Sequence, residues 1–195
     1  ADNGEIHVHL QEYAPPKTVD EQAAGRRREE TQLAVSAALG LPLARVHLKK
    51  RERQRAEKSQ YRKQRETAQR ETEQRETQFR VNEHGHAFWV DLDSYLDTGL
   101  FLDTRPVRQL LARKAKGRRF LNLFAYTASA TVYAAKAGAK SSLSIDMSAT
   151  YTDWARHNFA ANAVDTRKHQ LLTADCMQWL EEAGEQFDLI YLDPP

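Results

Sequence analysis

Four short stretches of this chain carry residue types whose spacing could bring them together for chemistry. Ala125-Tyr-Thr-Ala-Ser-Ala-Thr is a turn of small and hydroxylated residues that follows the apolar run Phe120-Leu-Asn-Leu-Phe. Small side chains let a ligand approach the main chain, and a helix opening there offers N–H groups that lack partners of their own. About twenty residues further on, Ile145-Asp146 closes a second apolar run, where an acid can accept both hydroxyls of a ribose. Ala174-Asp175-Cys176 follows a third run, where a side chain and a main-chain N–H can read an adenine edge. Asp193-Pro194-Pro195 follows a fourth. Prolines fix φ and remove backbone donors, which makes this tripeptide a stiff shelf of acceptors for an unstacked RNA base. Each sign has an ordinary structural reading: a packing turn, a helix cap, a loop. Their order, one per strand end, carries the signal.

For these stretches to meet, they must lie at the carboxyl ends of neighbouring parallel strands. The second half of the chain, residues 98–195, has the required alternation. Strands are predicted at Phe120–Phe124, Ser142–Asp146, His169–Thr173 and Phe187–Leu192, and helices at Pro106–Ala115, Ala128–Ala137, Ser148–Ala163 and Cys176–Ala183. Strands alternating with helices of this length predict an α/β fold, a Rossmann-like parallel sheet covered on both faces and truncated after its fourth strand. Residues 1–97 read instead as a small α+β subdomain, an RNA-binding or linker element. It has a helix over Thr18–Leu39, capped by Thr18 with Glu21 and closed by Gly40, a strand at Val46–Lys49, and strands at Phe79–Val81 and Ala87–Leu92 joined by a turn at His84-Gly85-His86. Residues 50–78 form a charged low-complexity insert in which Gln-Arg-Glu-Thr recurs at Gln64, Gln69 and Gln74. A five-residue step advances a helix by about 500°, so the repeats mark no single face, and the insert reads as solvated.

Composition narrows the partners. Of the 195 residues, 41% are apolar and 29% charged, yet the net charge is only +2, so basic character is local. It concentrates in Lys49, Lys50, Arg51, Arg53 and Lys58, with Tyr61 among them, a pattern that suits phosphates and a stacked base. The single cysteine, Cys176, forbids an intramolecular disulfide and fits a reducing, cytoplasmic setting. No run approaches a membrane span, and His84 with His86 lack the further ligands that a zinc site needs. The chain does not begin with Met and stops three residues after its last predicted strand; both ends are expected to lie inside a longer protein.

Several separated motifs resemble one family. Asp97-Thr-Gly-Leu-Phe-Leu-Asp-Thr-Arg-Pro, Asn122-Leu-Phe-Ala-Tyr-Thr, Asp146-Met-Ser, Ala174-Asp-Cys and Phe187-Asp-Leu-Ile-Tyr-Leu-Asp-Pro-Pro are similar to segments of the class I S-adenosylmethionine-dependent methyltransferases that modify large-subunit ribosomal RNA. The nearest likeness is to the C-terminal, K-type, guanine-N7-methylating half of the bifunctional K/L family, whose linker Gln11-Glu-Tyr-Ala-Pro-Pro-Lys-Thr and Leu48-Lys-Lys-Arg-Glu-Arg-Gln also resemble. The resemblance implies S-adenosyl-L-methionine as cofactor, 23S ribosomal RNA as substrate, and a second methyltransferase module on the N-terminal side. It implies that Asn122, Phe124, Ala125, Tyr126, Thr127, Ala128 and Ser129 line the methionine and ribose portion, that Asp146 with Met147 binds ribose, and that Asp175 with Cys176 lies by the adenine. Asp103 and Arg105 would border the pocket, Arg105 pairing with the cofactor carboxylate. Asp193, Pro194 and Pro195 would face the guanine. The chain departs from the family at Ala128 and Ser129, where Gly is common.

Guanine N7 carries a lone pair and no proton, so its methylation needs placement and no general base. Two methylations on the same fold stay open: at cytosine C5, which needs an attacking thiolate, and at an exocyclic amine. An RNA-binding module that has lost catalysis stays open as well. A nicotinamide dehydrogenase leaves Asp-Pro-Pro unexplained.

Overall fold

The computed structural model describes residues 4–13, 19–51, 78–95 and 97–194. Thr18, Arg53, Lys58, the Gln-Arg-Glu-Thr repeats and Pro195 lie outside them, as do the side chains of Lys50 and Arg51. The chain divides into two compact units, Ala1–Phe79 with Asp91–Thr98, and Arg80–Val90 with Gly99–Pro195.

The first unit is built on a strand–helix–strand crossover. β1 (Val8–Tyr13) pairs in parallel with β2 (Val46–Arg51), in register from Val8 opposite Val46 to Tyr13 opposite Arg51. α1 (Glu21–Leu39) connects them. Asp20, one residue before α1, caps it by accepting the N–H groups of Gln22 and Ala23, and Gly40 ends it in the left-handed conformation that favours glycine. β1 was not expected. Its two aliphatic side chains, Val8 and Leu10, stand on either side of His9, a weak period-2 signal in a stretch that reads as linker.

The second unit opens on most of a hairpin, β3 (Gln78–Glu83) and β4 (His86–Asp91), whose loop residues His84 and Gly85 both have positive φ, as a tight hairpin turn requires. Then follow α2 (Arg105–Ala115), β5 (Arg119–Leu123), α3 (Ser129–Lys136), β6 (Ser141–Asp146), α4 (Ala149–Ala161), β7 (His169–Thr173), α5 (Cys176–Glu182) and β8 (Leu189–Leu192). The four later strands make one parallel sheet in the order β7-β6-β5-β8. The order reverses at β5, so the switch point lies between β5 and β8.

Alternate residues of β5 feed the two faces of this sheet. Phe120 packs with Leu111, Ala115, Ala130 and Ala134. Leu121 and Leu123 pack with Ile145 and Cys176, with Trp179 and Phe187 at the margin. α4 and its C-terminal cap, Asn162, grip the backbone of β4 with one stripe of side chains. Trp154 donates to the Trp89 carbonyl, Asn158 accepts the Trp89 N–H, and Asn162 both accepts from and donates to Ala87. The helix thereby satisfies strand groups that would otherwise seek another strand. Beneath it, Glu83 accepts from both Arg105 and Arg108 and from the Tyr133 hydroxyl, forming a buried network. Among the described residues no helix is long and apolar enough to cross a membrane.

Candidate functional site

The parallel register brings the ends of β5, β6, β7 and β8 to one edge of the sheet. Leu123 lies opposite Ile145 on one side and Leu192 on the other, and Asp146 lies opposite Thr173. The predicted turn, Asp146, Asp175 and Asp193 therefore share that edge.

The turn after β5 is folded tightly. Phe124, Tyr126 and Ala128 all have φ near +50°, a conformation that costs an L-residue roughly 1–2 kcal/mol. Five hydrogen bonds hold it. Ala125 N–H donates to the Ile145 carbonyl at 2.9 Å, and Tyr126 N–H donates to Asp146 Oδ2 at 2.8 Å. Phe124 N–H donates to Cys176 Sγ at 3.3 Å. The Thr127 hydroxyl donates to the Gly99 carbonyl at 2.7 Å, while the Gly99 N–H donates to the Tyr126 hydroxyl at 2.9 Å. Gly99 has φ +89°, and a Cβ there would sit 2.2 Å from the Trp154 ring, so no other residue fits. The missing glycines of the turn are thus replaced by strained residues clamped from three sides. Ala128, fully buried, is the N-cap of α3 and supplies no side-chain cap. The N–H groups of Ser129 and Ala130 are left free among the described residues.

Asp146 is the hub of the edge. Its Oδ1 accepts the Ser148 N–H at 2.9 Å, its Oδ2 the Tyr126 N–H. Each oxygen keeps a lone pair, which is what two ribose hydroxyls require. Burial raises its pKa against the pull of those two backbone donors. Met147 beside it is half exposed, an apolar side chain turned to solvent. Asp175 caps α5, its Oδ1 accepting from Met177 and Gln178, and its exposed side chain leaves Oδ2 available. Asp193 is exposed and accepts the Tyr191 hydroxyl at 2.9 Å; Pro194 is exposed beside it. The donor set at this edge fits a nucleoside with a charged tail: paired acceptors for ribose, free N–H groups for a carboxylate, and an exposed apolar side chain for a base.

Other predicted residues have different duties. Thr127 is buried and spent on Gly99, and Asn122 is buried with its amide donating to Thr131 Oγ1 at 3.0 Å, so both support the turn from below. Cys176 is buried as well; its thiol donates to the Ile145 carbonyl, and burial pushes its pKa up. Arg105 is engaged by Glu83 through Nε at 2.7 Å, and Asp103, exposed, accepts the Thr104 N–H. Lys49 is drawn inward: its Nζ is buried without a hydrogen-bond partner and faces Asp91, Asp93 and Asp97. No phosphate contact is assigned to it. The clamp on Gly99 and the Glu83 network went unseen in the sequence, although the Gly within Asp97-Thr-Gly-Leu-Phe was a signal that could have found the first. Among the described residues, no three His, Cys, Asp or Glu side chains converge to hold a metal ion.

This architecture, a parallel sheet whose strand order reverses at β5, is shared with known proteins. The family model for S-adenosylmethionine-dependent methyltransferases matches residues 20–195, and the chain belongs to that family. The ribosomal RNA large subunit methyltransferase K/L of Chromohalobacter salexigens is 50% identical over 188 residues, covering 96% of this chain and 24% of its own length. Its counterpart in a Marinomonas species is 49% identical over 188 residues, covering 96% and 25%. The chain thus spans about a quarter of the length of the curated relatives it matches. Among solved structures, a SAM-dependent methyltransferase from Streptococcus mutans, 37% identical, superposes with a TM-score of 0.59 over 61% of this chain and 33% of that one. A methyltransferase complexed with SAH, also 37% identical, gives 0.59 over 61% and 32%.

Proposed function

We propose that this chain carries out S-adenosylmethionine-dependent methylation of guanine N7 in 23S ribosomal RNA. The observation that carries the reading is the shared edge, with Asp146 on one side of the β5 turn and Asp193-Pro194 on the other. The names and identities of the two curated relatives support ribosomal RNA as the substrate. Their greater length leaves room for the second methyltransferase module expected on the N-terminal side.

When bound, the cofactor supplies an electrophilic methyl group on a sulfonium. Asp146 accepts the ribose hydroxyls, the free N–H groups at the start of α3 take the methionine carboxylate in place of Arg105, and Met147 with Asp175 flanks the adenine. Asp193, Pro194 and Pro195 hold the target base, and Lys50, Arg51, Arg53 and Lys58 contact phosphates. Guanine N7 has no proton to remove, so these groups need only place it about 3–3.5 Å from the methyl. The buried Cys176 thiol, its pKa raised, is unsuited to attack a cytosine ring.

The test is nucleoside analysis of large-subunit ribosomal RNA after incubation with the intact protein and S-adenosylmethionine. 7-Methylguanine supports the reading. 5-Methylcytosine or a methylated exocyclic amine would replace it with the sibling chemistry. RNA binding with no methyl transfer would leave an RNA-binding module.

A further inference from the structure

Tyr191 lies in β8 and Asp193 follows directly after its last residue, Leu192, and the two side chains meet. The phenol donates to Asp193 Oδ2 at 2.9 Å. Tyr191 is itself held in place. It packs against the cluster of Leu111, Phe120 and Ala130 and pairs in register with Asn122 of β5. Burial, with the adjacent Asp193 carboxylate, pushes its pKa up to about 12, so it remains a donor at physiological pH. Asp193 is exposed, and among the described residues its Oδ1 accepts from nothing. One oxygen is pinned and the other is presented to solvent at the switch point.

A carboxylate offers acceptors only. Guanine alone among the four RNA bases puts two adjacent donors, N1–H and the 2-amino group, on its Watson–Crick edge. Adenine and cytosine set a ring acceptor beside their amino group, and uracil flanks its N3–H with carbonyls. We propose that Asp193 selects guanine by accepting from N1–H and the 2-amino group, and that Tyr191 is the positioning residue that aims this carboxylate. The proposal rests on the guanine reading above and deepens it. Gripping the Watson–Crick edge leaves N7, on the opposite side of the base, directed away from Asp193 and open to the methyl donor.

The experiment compares methyl transfer by the intact protein to two RNA fragments that differ only at the modified position, guanosine in one and inosine in the other. Inosine lacks the 2-amino group alone. The native protein is expected to prefer guanosine by roughly tenfold to a hundredfold in kcat/KM, the worth of a hydrogen bond to a charged group. Asp193→Asn sets a donor against a donor and is expected to lose most of that preference. Tyr191→Phe is expected to lose it severalfold, with S-adenosylmethionine affinity unchanged as a check on folding. If a variant transfers too slowly, the binding ratio of the two fragments replaces the kinetic one. Equal use of guanosine and inosine by the native protein, or an undiminished preference in both variants, would overturn the selection mechanism while leaving guanine methylation intact. A modified base other than guanine would overturn both.

Discussion

The carboxylate of Asp146, at the end of β6, accepts the main-chain N–H of Tyr126 in the turn after β5, at 2.8 Å. The acid expected to meet a ribose is therefore also a bracket that folds the neighbouring turn. This turn and its bracket form one unit, in which strain at Phe124, Tyr126 and Ala128 is offset by bonds from β6, α5 and Gly99.

That strain makes a prediction at Ala128, buried with φ +53°. Ala128→Gly should stay within about 1 kcal/mol of the native stability, because relief of the left-handed backbone is offset by the lost methyl and a more flexible unfolded chain. Ala128→Val should cost about 2–4 kcal/mol from backbone strain and overpacking together. Denaturant unfolding of both variants measures this; a valine variant as stable as the native protein would mean that the turn is not strained there.

Glu83 is buried between Arg105, Arg108 and Tyr133. Burial alone would raise its pKa, but the hydrogen bonds from Arg105, Arg108 and Tyr133 outweigh it and hold it below the ordinary carboxylate range. Glu83→Ala leaves the Arg108 guanidinium buried without its partner and should destabilise the fold by roughly 3–5 kcal/mol. Replacing Arg108 by Met in the same chain should recover part of that loss. Thermal melting of the single and double variants decides it, and an undiminished Tm for Glu83→Ala would refute the network's role.

Much of the sheet, and the edge that gathers the candidate residues, was legible because buried parallel strands are nearly continuous apolar runs. Arg119–Leu123, Ser141–Asp146 and His169–Thr173 could be placed within a residue or so, and with them the acids at their ends. What lay outside reach has physical reasons. Glu83 and Arg108 look like surface charges in sequence, since a buried pair has no signature until its partner's position is known. Left-handed residues are foreseen where glycine stands, and Phe124, Tyr126 and Ala128 give no such sign. The cap of α1 passed from Thr18 to Asp20 because capping by either residue reads alike in sequence. Lys49 sits in a basic run, and only the fold sets it against Asp91, Asp93 and Asp97.

Acidification should destabilise the protein. Burial lowers the pKa of His7, His9, His86 and His169 below the ordinary 6.5. The unfolded chain then binds protons before the folded one does, so stability is full above about pH 6.5 and declines as pH falls through the lowered values. His9 is the sharpest case, its Nε2 buried without a partner and Lys49 nearby. Melting temperatures measured from pH 8 to pH 5.5 should fall; a flat profile would show that these rings gain their protons without cost.

Asp146 should give cofactor affinity the same direction by a different route. Burial raises its pKa, so on acidification it takes up a proton earlier than an ordinary aspartate and loses the charge that favours the ribose hydroxyls. Affinity for S-adenosylmethionine should weaken as pH falls through that raised value, whereas for stability the same group works the opposite way, its protonation favouring the folded state. Affinity that does not change with pH while the fold persists would remove Asp146 from the ribose contact.

The most direct test of the central claim is calorimetric titration of S-adenosylmethionine into the folded protein beside an Asp146→Ala variant whose folding is verified by melting. Saturable one-to-one binding by the native protein, weakened at least tenfold in the variant, is the predicted result. Binding of equal strength in both, or none by a folded native protein, would contradict the assignment of this sheet edge as the cofactor site.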